Sequence, residues 1–302
     1  MKRSVLIIDD EKDQAESLCK TLSKTLLNTS FDFACEETDI LSSIENKYFS
    51  VAIVDIRMDK FGFDGIEIIN RIFKINPFAK VIIVSAFTGE YFKQIKDLFL
   101  TGKVIDVVEK IEFEKFVSIL KTGISKYHEE LFEDPSEINL ALLEFYSQAK
   151  NEKDTFKKGE DFEHFVSLLF QSIGFNNVNK RVKDKSLNEV DLVIRNEIED
   201  SFLTKFGKYI LIECKNKPKD KVDKNTFIVF SSKLKHTNGL SELGIIATTG
   251  YITRNTYIEA IRDSNEVRKI IFLSNPEFEK LILSKNKLEQ FKLIIDTQVK
   301  DN

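Results

Sequence analysis

Tryptophan is absent from the sequence, and cysteine and proline are scarce, at three and four residues. Cys19, Cys35 and Cys214 are widely spaced and odd in number, and no C-x-x-C pair of the kind that binds metal is present. This pattern is typical of a protein from a reducing compartment. We therefore expect a cytoplasmic protein without a disulfide framework.

Long apolar runs are also missing. No stretch reaches the roughly 18 apolar residues of a membrane span, and the apolar run after Met1-Lys-Arg3 stops at Asp9-Asp10, too early for a signal peptide. We therefore expect neither export nor a membrane span. An excess of positive charge is missing too, since the net charge is -4. This argues against a uniformly basic nucleic-acid binder but allows a local basic face.

The 302 residues are 42% hydrophobic and 31% charged, a composition that can build ordinary globular cores. This length predicts two domains of roughly 100–200 residues each. An acidic segment that ends at Pro135, followed by a helical pattern, separates two regions of regular patterning. We predict a first domain at 1–128, a linker helix at 129–154 and a second domain at 155–302.

Five apolar strands alternate with five helical patterns in the first region, which predicts an α/β domain with a doubly wound five-stranded parallel sheet. Polar residues follow four of the strands: Asp9, Asp10, Asp55, Ser85 and Lys110. Sites in such sheets form outside the carboxyl ends of the strands, so these side chains should converge. Three carboxylates in one pocket repel each other unless a cation is bound, and a Mg²⁺ ion is therefore implied.

In this order of residues, the first domain resembles a response-regulator receiver domain, which has a flavodoxin-like fold. The resemblance rests on the acid pair, on Asp55 within Val-Asp-Ile-Arg-Met, on Ser85-Ala86 and on Lys110. It implies that a sensor histidine kinase is the partner and that Asp55 is the phosphoacceptor. It further implies that Ser85 and Lys110 bind the phosphoryl group.

The resemblance also implies a Mg²⁺ site formed by Asp9, Asp10 and Asp55 together with the backbone carbonyl of Arg57. Two positions depart from the usual receiver pattern. Ile111 follows the lysine where proline is usual, and Val107 stands where an aromatic switch residue is usual. We therefore expect intact phosphorylation chemistry and an atypical output.

The segment Tyr209–Asn216 organises the second domain, because it reads as a buried strand that ends in Glu213-Cys-Lys215. Residues two apart on a strand face the same way. If Arg195 faces Tyr209 across an antiparallel hairpin, Asp191 faces Glu213, with Cβ atoms about 5 Å apart. Two carboxylates at this distance are tolerated only where a cation or the lysine offsets their repulsion.

Residues 155–275 resemble the PD-(D/E)xK nuclease superfamily and, within it, the Mrr-like restriction endonucleases. The matching positions are Gly159, Phe162, Glu163, the Gly174-Phe175 turn, Asp191, Glu213 and Lys215. Val190 stands where the motif's proline would be. The resemblance implies an α/β restriction-endonuclease-like fold with a mixed sheet.

The implied reaction is metal-dependent hydrolysis of a phosphodiester. Asp191, Glu213 and the Cys214 carbonyl would hold one or two Mg²⁺ ions, which Mn²⁺ can replace, and Glu163 would complete the set, with Glu160 as its rival. Lys215 would orient or deprotonate the attacking water, or stabilise developing negative charge. The sequence leaves these roles open.

Basic runs on both sides of the predicted site favour phosphate contacts by Lys183, Lys185, Lys217, Lys219 and Lys221. We interpret the chain as a response regulator whose phosphorylation at Asp55 controls a magnesium-dependent endonuclease. We expect a homodimer that acts on DNA and serves in defence against phage. The alternatives are a phospho-regulated nucleic-acid-binding protein that does not cut, and a nuclease acting on RNA. The end of the chain predicts a strand at Lys269–Leu273 and one helix at Pro276–Val299.

Overall fold

A computed structural model describes residues 3–86, 89–133, 136–183, 189–263 and 268–300. The chain divides into two compact units, Met1–Pro135 and Ser136–Asn302. Among the described helices, none is long and apolar enough to cross a membrane. The three cysteines are all free thiols.

Strands and helices alternate throughout unit 1. In chain order the elements are β1 (Ser4–Ile8), α1 (Lys12–Thr25), β2 (Ser30–Ala34), α2 (Glu37–Asn46), β3 (Val51–Asp55), α3 (Gly65–Ile75), β4 (Lys80–Ser85), α4 (Phe92–Phe99), β5 (Val104–Glu109) and α5 (Phe113–Glu133). The sheet order is β2-β1-β3-β4-β5, and every neighbouring pair is parallel. The predicted doubly wound five-stranded parallel sheet is confirmed.

The sheet of unit 1 is buried on both faces, because its central strands carry apolar side chains at nearly every position. Ile8 packs into one core with α2 and α3, and its neighbour Ile7 packs into the other with α1 and α5. Since β1, β3 and β4 run parallel side by side, Asp9, Asp55 and Ser85 all lie at the same edge. Gly65 begins α3 directly against that edge, where an added Cβ would lie 2.0 Å from the Asp55 carbonyl oxygen.

A buried histidine fastens α5 to the opposite edge of this sheet. His128 is 1% exposed, and its Nε2 lies 2.7 Å from the Ser50 hydroxyl oxygen. Ser50 in turn donates to the Ser4 carbonyl at 2.9 Å. Burial lowers the pKa of His128 to about 4, so this imidazole is neutral at pH 7.

Unit 2 surrounds a mixed sheet with helices. Its elements are α6 (Ser136–Asn151), α7 (Thr155–Ile173), β6 (Val178–Lys183), β7 (Glu189–Arg195), a 3-10 turn (Leu203–Phe206), β8 (Tyr209–Lys215), β9 (Lys221–Val222), α8 (Lys224–Lys235), β10 (Leu243–Thr248), β11 (Tyr251–Ile252), α9 (Arg254–Asp263), β12 (Lys269–Leu273), α10 (Asn275–Leu283) and α11 (Lys287–Lys300). The main sheet has the order β12-β10-β8-β7-β6. Strands β12, β10 and β8 are parallel, and β8, β7 and β6 are antiparallel, so the predicted mixed sheet is confirmed.

The predicted register of the β7–β8 hairpin is also correct. Arg195 pairs with Tyr209, and the ladder continues to Leu192 opposite Ile212. One further step places Asp191 across from Glu213.

The domain boundaries differ from the predicted 1–128, 129–154 and 155–302. The end of α5 extends to Glu133 within unit 1, and α6 belongs to unit 2, where it packs along α7. The predicted separate linker helix is therefore part of the second unit's core, with Leu142 fully buried.

The predicted single helix at Pro276–Val299 is wrong, because α10 and α11 are separate. Ser284 ends α10 with an extended backbone. The ammonium of Lys287 then donates to the carbonyls of Ile282 and Ser284, at 2.6 and 3.1 Å, which satisfies the end of the first helix. An amphipathic pattern continues through such a break because both helices pack on the same core.

Candidate functional site

Three carboxylates converge at the edge of the sheet in unit 1, as the sequence predicts. Asp9, Asp10 and Asp55 are each 7% exposed, and one oxygen from each lies within 4.8 Å of the others. Lys110 donates to Asp9 at 2.9 Å and to Asp55 at 2.7 Å. Among the described side chains, Lys110 is the cation that pairs with carboxylates of this triad, so three carboxylates share one ammonium group and a surplus of two negative charges remains.

Burial raises the pKa of Asp55, and the contacts with Lys110 oppose that rise. For Lys110, burial lowers the pKa, but Asp55 and Asp9 outweigh it, so the pKa is raised overall. Three buried carboxylates with a surplus charge of two suit a small divalent cation with oxygen ligands. The donor set therefore fits the implied Mg²⁺ ion.

Ser85 and Lys110 belong to the same corner of this site. Ser85 is 1% exposed at the end of β4, and its carbonyl accepts from the Lys110 backbone N–H at 3.1 Å. The backbone N–H of Arg57 donates to Asp55 at 3.3 Å, which directs the loop after β3 over the carboxylate. Participation of the Arg57 carbonyl as a metal ligand stays a prediction.

Lys60 is a residue of this site that the sequence reasoning missed. Its backbone N–H donates to the Asp10 carboxylate at 3.2 Å, and its ammonium donates to the Asp10 carbonyl at 2.8 Å. It also pairs with Glu11 at 2.9 Å. Its position in the long loop after Met58 is the signal that could have drawn attention to it.

In unit 2, Asp191 and Glu213 lie at the end of the β7–β8 hairpin. The backbone pairing of β7 with β8 ends at Leu192 and Ile212. Beyond it, Asp191 Oδ2 accepts the backbone N–H of Cys214 at 2.6 Å. Glu213 is 7% exposed and accepts two ammonium groups, one on each oxygen. Lys215 donates to Oε1 at 2.7 Å and Lys233 donates to Oε2 at 2.9 Å.

Burial raises the pKa of Asp191, and the charge of Glu213 raises it further. Burial lowers the pKa of Lys215, but Glu213 and Asp191 outweigh this effect and raise it overall. Lys215 is therefore a protonated amine in this arrangement. It can act as a general base only after the carboxylates are neutralised, for instance by a bound cation.

Glu163 reaches the same region from α7 but is paired with arginine. Arg181 donates to Glu163 at 3.0 Å and contacts the predicted rival Glu160, also at 3.0 Å. The β6–β7 register places Arg181 opposite Asp191, where its backbone has a left-handed φ of 51°. Such a conformation is costly for a non-glycine residue and is found preferentially at functional sites.

Glu163, Asp191 and Glu213 do not form a three-carboxylate group as tight as the triad in unit 1, within the part of the chain that the structure describes. Instead, Arg181, Lys215 and Lys233 supply three positive charges to these three carboxylates. The donors are oxygen atoms suited to Mg²⁺, so the set fits a divalent cation chemically. Binding through Glu213 or Glu163 would replace existing ion pairs.

Burial and the surrounding carboxylates Asp191, Glu163 and Glu213 raise the pKa of the Cys214 thiol well above its ordinary value. This thiol is therefore not a nucleophile at neutral pH. The predicted role of its backbone carbonyl as a metal ligand stays a prediction.

Asn216 joins the end of β8 to α6, to α7 and to the residue that follows β10. Its side-chain amide donates to the Ala149 carbonyl of α6 at 2.8 Å and to the Lys158 carbonyl of α7 at 2.7 Å. Its side-chain oxygen accepts from the Thr249 hydroxyl at 2.8 Å. The position of Lys215 is thus fixed by a residue that also contacts α6, the first helix of unit 2.

The predicted phosphate-binding lysines are only partly accounted for. Lys217, Lys219 and Lys221 are exposed in the segment after β8, and Lys217 lies 3.6 Å from Asp220. Lys185 lies outside the described residues, as does the side chain of Lys183. Exposed lysines that follow a carboxylate site directly are available for phosphate contacts.

Both units match known families. Residues 5–110 match the family described as "Response regulator receiver domain", and residues 156–282 match the family described as "Restriction endonuclease". The chain joins a receiver domain to a restriction-endonuclease-like domain. Domains of both kinds usually use divalent metal ions, and their union suggests a regulated nuclease. No curated protein matches the chain.

Several solved structures are similar to part of the chain. One is a CheY-like receiver domain protein from Methanospirillum hungatei, with 20% identity over 43% of this chain and 99% of that chain, at a TM-score of 0.36. Another is TrrA from Thermotoga maritima in complex with Mg²⁺ and BeF, with 23% identity over 40% of this chain and 98% of that chain, at 0.33. The family match and the strand order, rather than these scores, establish the receiver domain.

Lys233 and Arg181 are the residues of the nuclease-like site that sequence reasoning missed or left without a role. Neither residue is among the lysines for which the basic runs predict phosphate contacts. Neither position belongs to the short motif that identifies the family. Only the packing of α8 and β6 brings them to the carboxylates.

Proposed function

We propose that the chain is a magnesium-dependent endonuclease whose activity is controlled by phosphorylation of Asp55. The observation that carries the nuclease assignment is the arrangement of Asp191, Glu213 and Lys215 at the end of one hairpin, within the segment that matches the restriction endonuclease family. The substrate is DNA, because restriction endonucleases act on DNA.

Asp191 and Glu213 would hold the divalent cation, with Glu163 and the Cys214 carbonyl as further ligands. When bound, the cation supplies an acidified water and neutralises charge on the phosphate. Lys215 holds its ammonium beside Glu213, where it can orient the attacking water or stabilise the negative charge that develops on the phosphate. The exposed lysines 217, 219 and 221 would bind neighbouring phosphates.

The control proposal rests on the buried triad of the receiver domain. Asp55 is held by Lys110 and lies next to Asp9 and Asp10, which would hold Mg²⁺ with Asp55 and the Arg57 carbonyl. A sensor histidine kinase would be the source of the phosphoryl group, and Ser85 and Lys110 would bind its oxygens. Phosphorylation would change the population of receiver conformations and so the contacts of a homodimer. Two nuclease domains in one dimer could cut both strands of DNA in the cytoplasm.

Plasmid cleavage tests the proposal. Purified full-length protein should cut with Mg²⁺ or Mn²⁺ and should not cut with a chelator. Treatment with a small phosphodonor should change the rate of wild-type protein, whereas the Asp55→Asn variant should not respond. Asp59→Asn, an exposed aspartate in the loop after β3, is the matched control and should respond normally.

The outcomes separate the parts of the proposal. Equal cleavage by wild type and Asp55→Asn under both conditions would remove phosphorylation control and leave the nuclease. Binding of plasmid without any cleavage would favour a phospho-regulated binding protein, and cleavage of RNA but not DNA would change the substrate. A contribution to defence against phage can be examined by infecting cells that carry either the wild-type gene or Lys215→Ala.

A further inference from the structure

Lys233 reaches the nuclease-like site from outside the family motif. It lies in the last turn of α8, and this helix is fixed on the sheet by Phe230 and Leu234. The helix lies close to β10 because the facing residue is Gly244, where an added Cβ would lie 2.8 Å from the Phe230 ring and 3.1 Å from Leu234. A firmly seated helix therefore directs the Lys233 side chain, which is 19% exposed, toward the carboxylates.

The ammonium of Lys233 bridges the two strands that form the site. It donates to the Glu189 carbonyl at the start of β7 at 2.8 Å and to Glu213 Oε2 near the end of β8 at 2.9 Å. An ammonium group has three hydrogens, and these contacts use two. The third can be donated to another acceptor at the edge where Asp191 lies.

The charges at this edge indicate what that acceptor is. Glu213 accepts hydrogen bonds from two ammonium groups, those of Lys215 and Lys233. One ammonium group would neutralise the charge of Glu213, and the second offsets the charge of Asp191. A divalent cation held by Asp191 and Glu213 would offset both carboxylates by itself. The ammonium groups of Lys215 and Lys233 would then be in excess, and the anion that arrives with the substrate is a phosphate.

We propose that Lys233 is a second lysine that binds a phosphate of the nucleic acid at this site. Before the cation binds, Lys233 occupies one oxygen of Glu213, and afterwards it is released to the substrate. This assignment rests on the proposed nuclease function. Lys233 therefore competes with the divalent cation for Glu213 and cooperates with it in binding nucleic acid.

Two binding measurements test the assignment without relying on cleavage. Full-length protein carrying Asp10→Asn, which weakens the receiver's own metal site, serves as the background. In that background, Lys233→Gln should bind Mn²⁺ about threefold to tenfold more tightly, because a competing ion pair is lost. At saturating Mn²⁺ it should bind a cleavage-resistant phosphorothioate duplex roughly tenfold more weakly, and the dependence of log K on log salt should become shallower by about one unit.

Lys235→Gln removes the same charge from the same turn and is the matched control; it should leave the affinity for Mn²⁺ unchanged. Lys233→Met, which keeps the apolar stem, should reproduce the effects of Lys233→Gln and would show that they do not arise from misfolding. Unchanged DNA affinity, or weaker Mn²⁺ binding, would mean that Lys233 only supports Glu213 and would overturn the assignment. Absence of cleavage by the wild type would refute the nuclease function instead, and the two affinities would still decide the role of Lys233.

Discussion

The two carboxylate sites of this chain use the same residue types with opposite charge balance. In the receiver domain, the carboxylates of Asp9, Asp10 and Asp55 crowd within 4.8 Å and Lys110 pairs with two of them, so a surplus of negative charge is buried. In the nuclease-like domain, Asp191 and Glu213 are offset by Lys215 and Lys233. The first site is arranged for a cation before the cation arrives, whereas the second must exchange ion pairs to admit one.

This difference suits the two proposed activities. A receiver must bind its metal readily so that phosphorylation depends on the kinase alone. A nuclease that admits metal only at the cost of existing ion pairs is restrained when substrate is absent. Repulsion in one site and compensation in the other therefore make the first site sensitive to metal and the second sensitive to its lysines and arginine.

The largest expected effect comes from removing Lys215, the lysine of the proposed nuclease site. Lys215→Ala should lower the rate of plasmid cleavage by about 10²–10³-fold, the scale for loss of one group that stabilises developing charge. Lys217→Ala, an exposed lysine two residues later, should lower it only slightly. Cleavage rates at saturating Mg²⁺ measure both, and full activity of Lys215→Ala would refute the assigned site.

Acid should weaken the receiver domain independently of its carboxylate site. Unfolded histidine takes up a proton below its ordinary pKa of 6.5, whereas buried His128 stays neutral until about pH 4. The stability that His128 contributes is therefore complete above pH 6.5 and is lost as the pH falls toward 4, by about 3 kcal/mol. Hydrogen exchange of unit 1 at several pH values measures this loss.

His128→Gln keeps a partner for Ser50 but cannot take up a proton, so the variant should lose this part of the pH dependence. His236→Gln changes an exposed histidine and should keep it. An acid response of His128→Gln identical to that of the wild type would show that other groups cause it.

Magnesium should stabilise the receiver domain, because it relieves repulsion that is already present. At a concentration 100 times its dissociation constant, a bound ion contributes about 2.7 kcal/mol to the free energy of unfolding. The Asp10→Asn variant should lose most of this gain. Hydrogen exchange with and without Mg²⁺ measures the protection of each unit separately. If Mg²⁺ increased the protection of unit 1 equally in the wild type and in Asp10→Asn, the contrast between the sites would be contradicted.

The smallest expected effect comes from uncovering Glu163. Arg181→Gln removes the partner of Glu163 and Glu160, and ion pairs of this partly exposed kind contribute roughly 0.2–1 kcal/mol. In the Asp10→Asn background, Mn²⁺ affinity should therefore rise by up to about fivefold. Arg195→Gln, on the neighbouring strand, is the control, and weaker Mn²⁺ binding by Arg181→Gln would show that Arg181 does not mask the site.

Short-range patterns predicted the frame of both sites well. Parallel strands bring their carboxyl ends to one edge, so the receiver triad followed from strand-end residues. Side chains alternate between the two faces of a strand, and Arg195 was predicted to face Tyr209 across the hairpin. Together these two points predicted that Asp191 lies across from Glu213. The single C-terminal helix was predicted incorrectly, because the amphipathic pattern continues across the break between α10 and α11. The helix predicted as a linker packs in unit 2, because an amphipathic pattern shows which face is buried and not which unit buries it.

The sequence by itself determined the two folds, the order of the domains and the acidic residues of both sites, because these depend on local periodicity and on short motifs. Only the tertiary structure decided which cations meet those acids. Lys233 comes from α8, Arg181 from β6 with a left-handed backbone, and Lys60 from a loop. Asn216 likewise ties the end of β8 to α6 through contacts distant in sequence. Charge compensation acts through space, and the sequence therefore cannot show which acids remain unpaired until the chain has folded.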